Sequence, residues 1–307
     1  MSEDPAAAST DEPPHRPLRA LALVLGASFS FATLSAAIKA CAAETGVSAP
    51  ILSRGVFGLL CCALVLRLRG VSLRPRAGKA LAVRCLSGVA AMYCYYWAYT
   101  RGGTDLPSAV VLLKTAPVWV ALIAPFALGE SLRARIVFAL GLGLVGVGLR
   151  YGVSLQGEQA GLAASLAAGF LAAIAYVSLR ALGKKDDPLV VVTWFSAFLI
   201  VATLPGVALE ARAPLGEWTP RAWGLLALIG LLGTAGQLFL TAAYRDGKAA
   251  AVTIGGLGEV GIALAYSVLL FQQTPSAGAL LGGGLALAAG VLANAPARGG
   301  GADEESG

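Results

Sequence analysis

The sequence is poor in charged residues and has a single histidine. Of its 307 residues, 13% are charged and 57% are hydrophobic. A soluble domain of this length needs many more charged residues to cover its surface. The histidine, His15, lies in a polar, proline-containing segment at the start of the chain. This position excludes catalysis or metal binding centred on histidine, and the segment lacks the apolar stretch of a signal peptide.

The cysteines are also too few to define a disulfide framework. The five cysteines are odd in number and lie mostly inside apolar runs, without the spacing of a metal site. We therefore expect them to be small core residues. The net charge of +6 comes from basic residues in short segments between apolar runs. They form no continuous basic face, which argues against a nucleic-acid partner.

What the sequence does contain is a series of apolar runs, each long enough to cross a hydrocarbon core of about 30 Å. They predict an all-α integral membrane protein in a lipid bilayer. The predicted disordered tails are residues 1–18 and 296–307. The ten predicted transmembrane helices are residues 19–40, 50–67, 80–99, 106–127, 134–151, 160–181, 188–208, 220–243, 249–271 and 276–295.

The distribution of basic residues predicts the orientation of the chain. Placing the N-terminus in the cytoplasm puts most lysines and arginines on the cytoplasmic side, including the cluster between Arg67 and Lys79. Short cytoplasmic loops are enriched in these residues. We therefore expect both termini to be cytoplasmic and the protein to lie in a bacterial inner membrane.

The chain repeats itself. Residues Ala109 to Leu149 align without a gap on Ala251 to Val291, so that Pro117 falls on Glu259. Because each repeat has five helices, an odd number, the second repeat enters the membrane from the opposite side. Inverted repeats favour a transporter that alternates between two open states around a central site. The predicted repeats are residues 19–151 and 160–295.

Two charged residues lie about midway along predicted spans, Lys114 in the fourth and Glu259 in the ninth. An ionised group at the membrane centre costs at least about 2.5 kcal/mol, so each needs a partner or a wet cavity. Pro117, the repeat mate of Glu259, is about one helical turn from Lys114. Both charges are therefore expected at similar depth near the pseudo-twofold axis.

Two interpretations of this pair remain open. In the first, Lys114 and Glu259 form a permanent salt bridge that only offsets the cost of burying them. In the second, both line a central cavity, where Lys114 meets a substrate carboxylate or phosphate and Glu259 meets a substrate amine or a coupling proton. Pro117 is expected to kink the fourth helix and to free backbone carbonyls there.

Two arginines also fall within predicted spans. Arg54, near the start of the second, either snorkels to the lipid headgroups or forms a bidentate anchor for an anionic group at the outer mouth. Arg84, close to the start of the third, is expected to snorkel.

Aromatic residues crowd the end of the third span. Such density is typical of an interfacial belt. Tyr93, Tyr96 and Trp97 nevertheless share one helical face, which favours a cavity wall as the alternative. Gln237 lies on a comparable face of the symmetry-related eighth span, and Trp119, after the proline, faces either the cavity or lipid.

Small residues form stripes in the fifth and tenth spans. Residues 141–146 match a GxGxxG pattern but follow no strand, which excludes dinucleotide binding. Gly282, Ala286 and Gly290 form a similar stripe in the last span. Such stripes allow helices to approach closely. We expect these helices to brace the bundle or to form a homodimer contact.

The run from Leu106 to Leu122, followed by Leu128 to Leu132, resembles the fourth-helix motif of the EamA family in the drug/metabolite transporter superfamily. Arg54, within Ser53-Arg54-Gly55, is similar to the arginine often found in the second helix of that family. The resemblance covers about residues 20–295. It implies a ten-helix transporter, usually an exporter of small metabolites, with no cofactor. The chain departs from the family pattern at Gln272, where glutamate is usual, and at Glu259, where proline is usual.

These observations predict an exporter of a small organic metabolite. The opposite charges of Lys114 and Glu259 favour an amino acid or a related zwitterion, with drugs, nucleotide-type compounds and cofactors as other substrates. A membrane-embedded enzyme is disfavoured because the loops offer only scattered acids and no histidine. A non-transporting structural subunit would not need two charges in its core.

Overall fold

The structure is a computed structural model that describes residues 16–46, 48–104, 106–152, 157–183, 185–210, 218–269, 272 and 274–295. The predicted tails and His15 lie outside these residues, except that the first helix already begins at Pro17. Within the described residues the chain is helical, with one isolated antiparallel bridge between Thr104 and Gly157.

Twelve helices follow one another along the described chain. They are α1 (Pro17–Thr45), α2 (Ser48–Leu68), α3 (Gly78–Thr100), α4 (Leu106–Leu113), α5 (Ala116–Leu128), α6 (Ala134–Tyr151), α7 (Gln159–Gly183), α8 (Pro188–Glu210), α9 (Pro220–Asp246), α10 (Ala249–Gly255), α11 (Gly258–Leu269) and α12 (Ala277–Asn294).

These helices form ten transmembrane segments, because α4 and α5 together make the fourth and α10 and α11 the ninth. Within the described residues, nine segments are long and apolar enough to cross a membrane. The third, α3, falls outside this group because Arg84 and its tyrosines lower its mean hydropathy. The predicted all-α membrane fold with ten helical segments is therefore confirmed.

The fourth and ninth segments are broken at matching positions. The fourth breaks at Lys114–Thr115 and the ninth at Gly256–Leu257, which are equivalent in the repeat alignment. Pro117, near the start of α5, explains the first break, because it has no N–H and disfavours helix before it. The predicted kink is thus confirmed as a full interruption. The break in the ninth segment was not predicted. Glycines flank it, and glycine weakens a helix.

The two repeats pack on each other with pseudo-twofold symmetry. The extensive contacts are α1 with α9, α3 with α7, α2 with α8 and α6 with α12. Exchanging the repeats converts the first pair into the second and leaves the other two pairs unchanged. Five segments per repeat make this symmetry inverted, as the sequence predicts.

The small-residue stripes of α6 and α12 face each other inside one chain. A Cβ atom added at Gly146 would lie 2.7 Å from the Gly282 carbonyl oxygen and 2.8 Å from the Ala286 nitrogen. Only glycine permits this backbone approach. The stripes therefore brace the bundle, and a homodimer would need another surface.

Both ends of the described chain lie at one end of the bundle, which we call the terminal face. The Arg16 N–H donates to the Asp246 carbonyl at 3.2 Å, and the Asn294 amide donates to the Ala251 carbonyl at 2.8 Å. The N-terminal residues of α1 and the last residues of α12 thus contact the same α9–α10 corner. The other end of the bundle is called the opposite face.

Candidate functional site: a cavity between the repeats

A cavity of about 630 Å³ lies between the two repeats. This volume is within the range of small-molecule sites, about 300–1,000 Å³. Its walls come from both repeats, including the residues on either side of the two helix breaks. The polar residues that line it are Ser28, Ser35, Tyr95, Lys114, Arg150, Tyr151, Tyr176, Tyr244, Thr253 and Glu259.

Lys114 and Glu259 form an ion pair in this cavity. The Lys114 Nζ donates to Glu259 Oε2 at 2.8 Å. Their side chains keep 19% and 27% of their surface exposed, because both line the cavity. The two interpretations made from the sequence therefore describe one arrangement, a salt bridge that is also open to the cavity. Partial exposure screens the pair, so it holds the helices together only weakly.

The helix breaks place this pair. Lys114 is the first residue after α4, and Glu259 is in the first turn of α11. At the first break the Thr115 N–H turns to the Leu112 carbonyl at 3.2 Å, and at the second the Leu257 N–H turns to the Ile254 carbonyl at 3.0 Å. These tighter bonds replace the regular helical ladder. Irregular backbone inside a membrane protein occurs where it lines a cavity, as it does here.

A layer of aromatic and hydroxyl side chains closes the cavity toward the terminal face. Tyr176 and Tyr244 stack with ring centroids 5.5 Å apart and planes 19° from parallel. The Tyr244 hydroxyl forms a hydrogen bond with Thr253 Oγ1 at 2.7 Å, and Tyr244 is fully buried. This layer joins α7, α9 and α10, so it fastens three helices of the second repeat to one another between the ion pair and the terminal face.

A buried salt bridge closes the same end more deeply. Glu130 Oε1 accepts from the Arg180 Nε at 2.7 Å, and its Oε2 accepts from the Ala249 N–H at 2.8 Å. Arg180 also donates to the Arg245 carbonyl at 2.9 Å. The two side chains are only 10% and 4% exposed. We call Glu130, Arg180 and the Ala249 N–H the Glu130 latch, since it fastens the loop after α5 to the ends of α7, α9 and α10.

The cavity opens toward the opposite face. Along the wall formed by α1, Val24, Ala27 and Ser28 are buried, whereas Ser35, farther from the terminal face, is exposed. The first helices of the two repeats also align, Phe29–Lys39 on Phe170–Arg180. Ser35 corresponds to Tyr176 in this alignment, so a small side chain stands where the closed end has a stacked ring. Gln272 likewise stands where the latch has Glu130. Two groups that lie at the closed end therefore have no counterpart at the equivalent positions of the other end.

The buried position of Arg84 corrects one prediction. Arg84 is 4% exposed and does not snorkel. Its guanidinium donates to Gln237 Oε1 at 3.3 Å and lies 4.1 Å from the centre of the Phe195 ring. The sequence misplaced it because position in a span predicts depth but not which neighbours surround a side chain.

Arg54 points into the bundle beside Gly233 and Phe31. Its guanidinium carbon is 5.8 Å from the centre of the Phe31 ring, and Phe31 lines the cavity. Gly233 leaves room for the arginine stem, since a Cβ there would lie 2.7 Å from Arg54 Cγ. Gln237 and Arg54 line a separate small void of about 10 Å³.

The aromatic cluster of α3 divides between the cavity and the outside. Tyr95, which the sequence did not single out, lines the cavity. Tyr93 and Trp97 are 43% and 45% exposed and lie outside the cavity lining, and the Tyr93 hydroxyl donates to the Ala202 carbonyl. The cavity-wall interpretation is therefore wrong for these two residues. Tyr96 packs on the main core with its ring 5.5 Å from that of Tyr95.

Of the two remaining predicted residues, Pro117 lines the cavity and Trp119 does not. The Trp119 indole N–H donates to Thr115 Oγ1 at 3.3 Å, and its ring meets Phe170 edge-on at 5.4 Å. Trp119 thus contacts the break in the fourth segment through Thr115, on the side away from the cavity.

Besides Tyr95, the cavity residues missed from the sequence include Arg150, Tyr151, Tyr176 and Tyr244. Arg150 and Tyr151 end the fifth segment, where charge and aromatic character resemble an ordinary interface. Tyr244 had one usable signal, its alignment with Tyr99 in the other repeat. Across the described residues, no group of three or more His, Cys, Asp or Glu side chains is placed to hold a metal ion.

Comparison with known proteins decides the family. Two segments, residues 18–151 and 159–295, match the EamA-like transporter family. The chain belongs to this family. It is therefore a multi-pass membrane transporter and not an enzyme.

Several transporters resemble the EamA chain over most of its length. It is 28% identical to the pseudopaline exporter CntI of Pseudomonas aeruginosa, over 87% of this chain and 93% of that protein. It is 27% identical to an uncharacterized transporter of Helicobacter pylori, over 90% and 95% of the two chains. These bacterial relatives are consistent with the cytoplasmic membrane as its location.

A solved crystal structure shares the fold. It superimposes with a TM-score of 0.75, covering 89% of this chain and 96% of that one, at 18% sequence identity. At this identity the similarity concerns the fold alone.

Proposed function

We propose that this EamA-family transporter exports a small zwitterionic metabolite through the cavity between its repeats. The observation that carries the proposal is the Lys114–Glu259 ion pair, which is exposed to a cavity of about 630 Å³ inside the membrane. Charged residues at this depth usually mark a solute or ion pathway. Two opposite charges at 2.8 Å offer one partner each to a carboxylate and an amine.

Binding of a zwitterion can break the Lys114–Glu259 ion pair at little cost in free energy. The pair is partly exposed, so its own attraction contributes only about 0–1 kcal/mol. A solute with a carboxylate and an ammonium group can bind Lys114 with the first and Glu259 with the second. The two charges then stay compensated in the bound state, which avoids an unpaired ion in the membrane.

The relatives support the direction and the class of solute. The Pseudomonas relative is a named exporter, and its substrate is a metabolite. That support is coarse, because identity of 28% does not fix the residues that select a substrate. The proposal that the solute is a zwitterion is therefore based on the charges in the cavity.

The arrangement of charge suggests how the cavity is presented to the two sides. The cluster of basic residues between Arg67 and Lys79 lies at the terminal face, where α2 ends and α3 begins. The positive-inside rule places this face in the cytoplasm. The cavity then opens outward, and the tyrosine layer and Glu130 latch close it inward. In an exporter this is the state from which solute is released.

The test is flux of labelled metabolites in proteoliposomes with and without a pH gradient. We expect saturable flux of one class of amino-group-bearing carboxylic acids by the wild type. Glu259→Gln should abolish it while leaving folded protein in the membrane. Stimulation by the gradient would indicate that transport is coupled to protons.

The matched control is Glu158→Gln, which removes an exposed carboxylate outside the cavity lining. It should transport at the wild-type rate. Equal flux of a zwitterion by wild type and Glu259→Gln would contradict the proposal, because the carboxylate would then have no part in solute binding.

A further inference from the structure

Arg54 and Arg84 bring two positive charges into the bundle interior without a carboxylate partner. In the part of the chain that the structure describes, no carboxylate oxygen lies within salt-bridge distance of either guanidinium. Among the carboxylates, Glu259 interacts electrostatically with Arg54 from a distance. The negative charge of Glu259 is already compensated by Lys114. Buried cations without an anion are costly.

Both guanidiniums approach the same stretch of α9, between Gly233 and Gln237. Gly233 cradles the Arg54 stem, and Gln237 Oε1 accepts from Arg84. Gly88 leaves space beside Arg84, since a Cβ added there would meet one end of the guanidinium as it is placed. The Nε atoms of both arginines are buried and have no hydrogen-bond partner.

A void of about 10 Å³ lies at this point, lined by Arg54, Ser196, Thr234 and Gln237 among others. The groups around it are mostly donors. Because Gln237 uses its oxygen to accept from Arg84, its NH₂ group remains to donate, and the Arg54 Nε–H is unpaired. A site of donors and excess positive charge suits an anion. Its volume is about that needed for one water molecule, so only a compact group can enter, and the neighbouring side chains must move to admit it.

We propose that Arg54, Arg84 and Gln237 form an anion-binding subsite behind Phe31. It binds one compact anionic group, from either of two sources, chloride from solution or a carboxylate of the transported solute. Phe31 borders both the subsite and the cavity, since its ring centre lies 5.8 Å from the Arg54 guanidinium carbon and the ring also lines the cavity wall. The subsite does not depend on the solute being a zwitterion.

The test is equilibrium binding of radiolabelled chloride to the purified full-length chain, with isethionate, a bulky anion, holding ionic strength constant. We expect saturable binding to the wild type. Affinity should fall at least about tenfold, or about 1.4 kcal/mol, in Arg84→Gln and in Gln237→Leu. Arg84→Lys keeps the charge and should retain part of the affinity.

The control is Arg67→Gln, which removes an exposed arginine near the end of α2. It should bind chloride as the wild type does. Unlabelled formate distinguishes the sources. Displacement of chloride by formate means that a solute carboxylate also fits, whereas no displacement restricts the subsite to halide.

The proposal is overturned if chloride binds no better to the wild type than to the uncharged variants. It is also overturned if neither chloride nor formate binds saturably. Since this assay contains no metabolite, its failure leaves the proposed export function standing, and a failed flux assay leaves the subsite standing.

Discussion

The pairing of Lys114 with Glu259 combines two requirements at the scale of single residues. Each charge compensates the other when the cavity is empty, and each remains exposed enough to bind a solute. The repeat alignment supplies the position, because Glu259 occupies the place of Pro117 in the other half. The family departure at this residue thus creates a functional group where a helix breaker is usual.

Removing one partner should cost more than removing both. Lys114→Met alone leaves Glu259 without its counter-charge, and Glu259→Gln alone does the same to Lys114. We expect each single variant to lower thermal stability in detergent by more than the double variant does. The melting temperature of the four proteins measures this coupling, and an additive result would show that the pair does not interact.

Reversing the pair tests its role in binding rather than in stability. The double variant Lys114→Glu with Glu259→Lys restores compensation but exchanges the two charges. We expect it to fold like the wild type and to transport poorly, since a solute would meet its two groups in reverse order. Wild-type flux by this variant would show that only neutrality matters.

At the scale of secondary structure, α6 and α12 approach each other closely through their glycines. Gly146 faces the Gly282 carbonyl at a distance that leaves no room for a side chain, whereas a Cβ at Gly141 in the same helix meets nothing within 4 Å. Gly146 and Gly141 belong to the same GxGxxG pattern, but only Gly146 packs closely against another helix.

Gly146→Val should therefore destabilise the protein by about 1–3 kcal/mol or prevent its accumulation in the membrane. Gly141→Val is the matched control and should leave the yield and melting temperature nearly unchanged. Equal behaviour of the two variants would show that the α6–α12 contact is looser than described.

The Glu130 latch also holds secondary-structure elements together, joining the loop after α5 to the ends of α7, α9 and α10. Glu130→Gln leaves Arg180, which is 4% exposed, without a counter-charge and weakens the closed end. We expect the equilibrium to shift toward opening at the terminal face. A cysteine in place of Ser28, which is buried in the cavity wall, should then react faster with a thiol reagent supplied from that face.

The parent protein with the same Ser28→Cys change and an intact latch is the reference for that rate. No acceleration on adding Glu130→Gln would mean that the tyrosine layer, and not the latch, holds the terminal face closed.

At the scale of the whole molecule, the sequence predicted the ten segments, the inverted repeats and the depth of the two central charges. These follow from length, hydropathy and the gapless alignment, which are properties of the chain itself. It did not predict the break at Gly256–Leu257 or the cavity tyrosines Tyr176 and Tyr244. Those depend on which helix faces come together, and apolar composition on every face hides that information.

The same reason explains the misjudged arginine and aromatics. Arg84, Tyr93 and Trp97 lie near segment ends, where snorkelling, an interfacial belt and a cavity wall have the same sequence pattern. The structure separates them, because Arg84 is buried while Tyr93 and Trp97 are exposed.

The most direct test of the central claim is whether solute occupies the cavity. The five native cysteines would be replaced by alanine, and Ser35, which lines the open end, by cysteine. We predict that a membrane-impermeant thiol reagent labels this cysteine from the opposite face, and that a saturating concentration of the transported solute slows the labelling. A cysteine in place of the exposed Gln159, which begins α7 at the same face but outside the cavity lining, should react equally with and without solute. Unchanged labelling at position 35 in saturating solute would contradict the account, because the solute would then cross by another route.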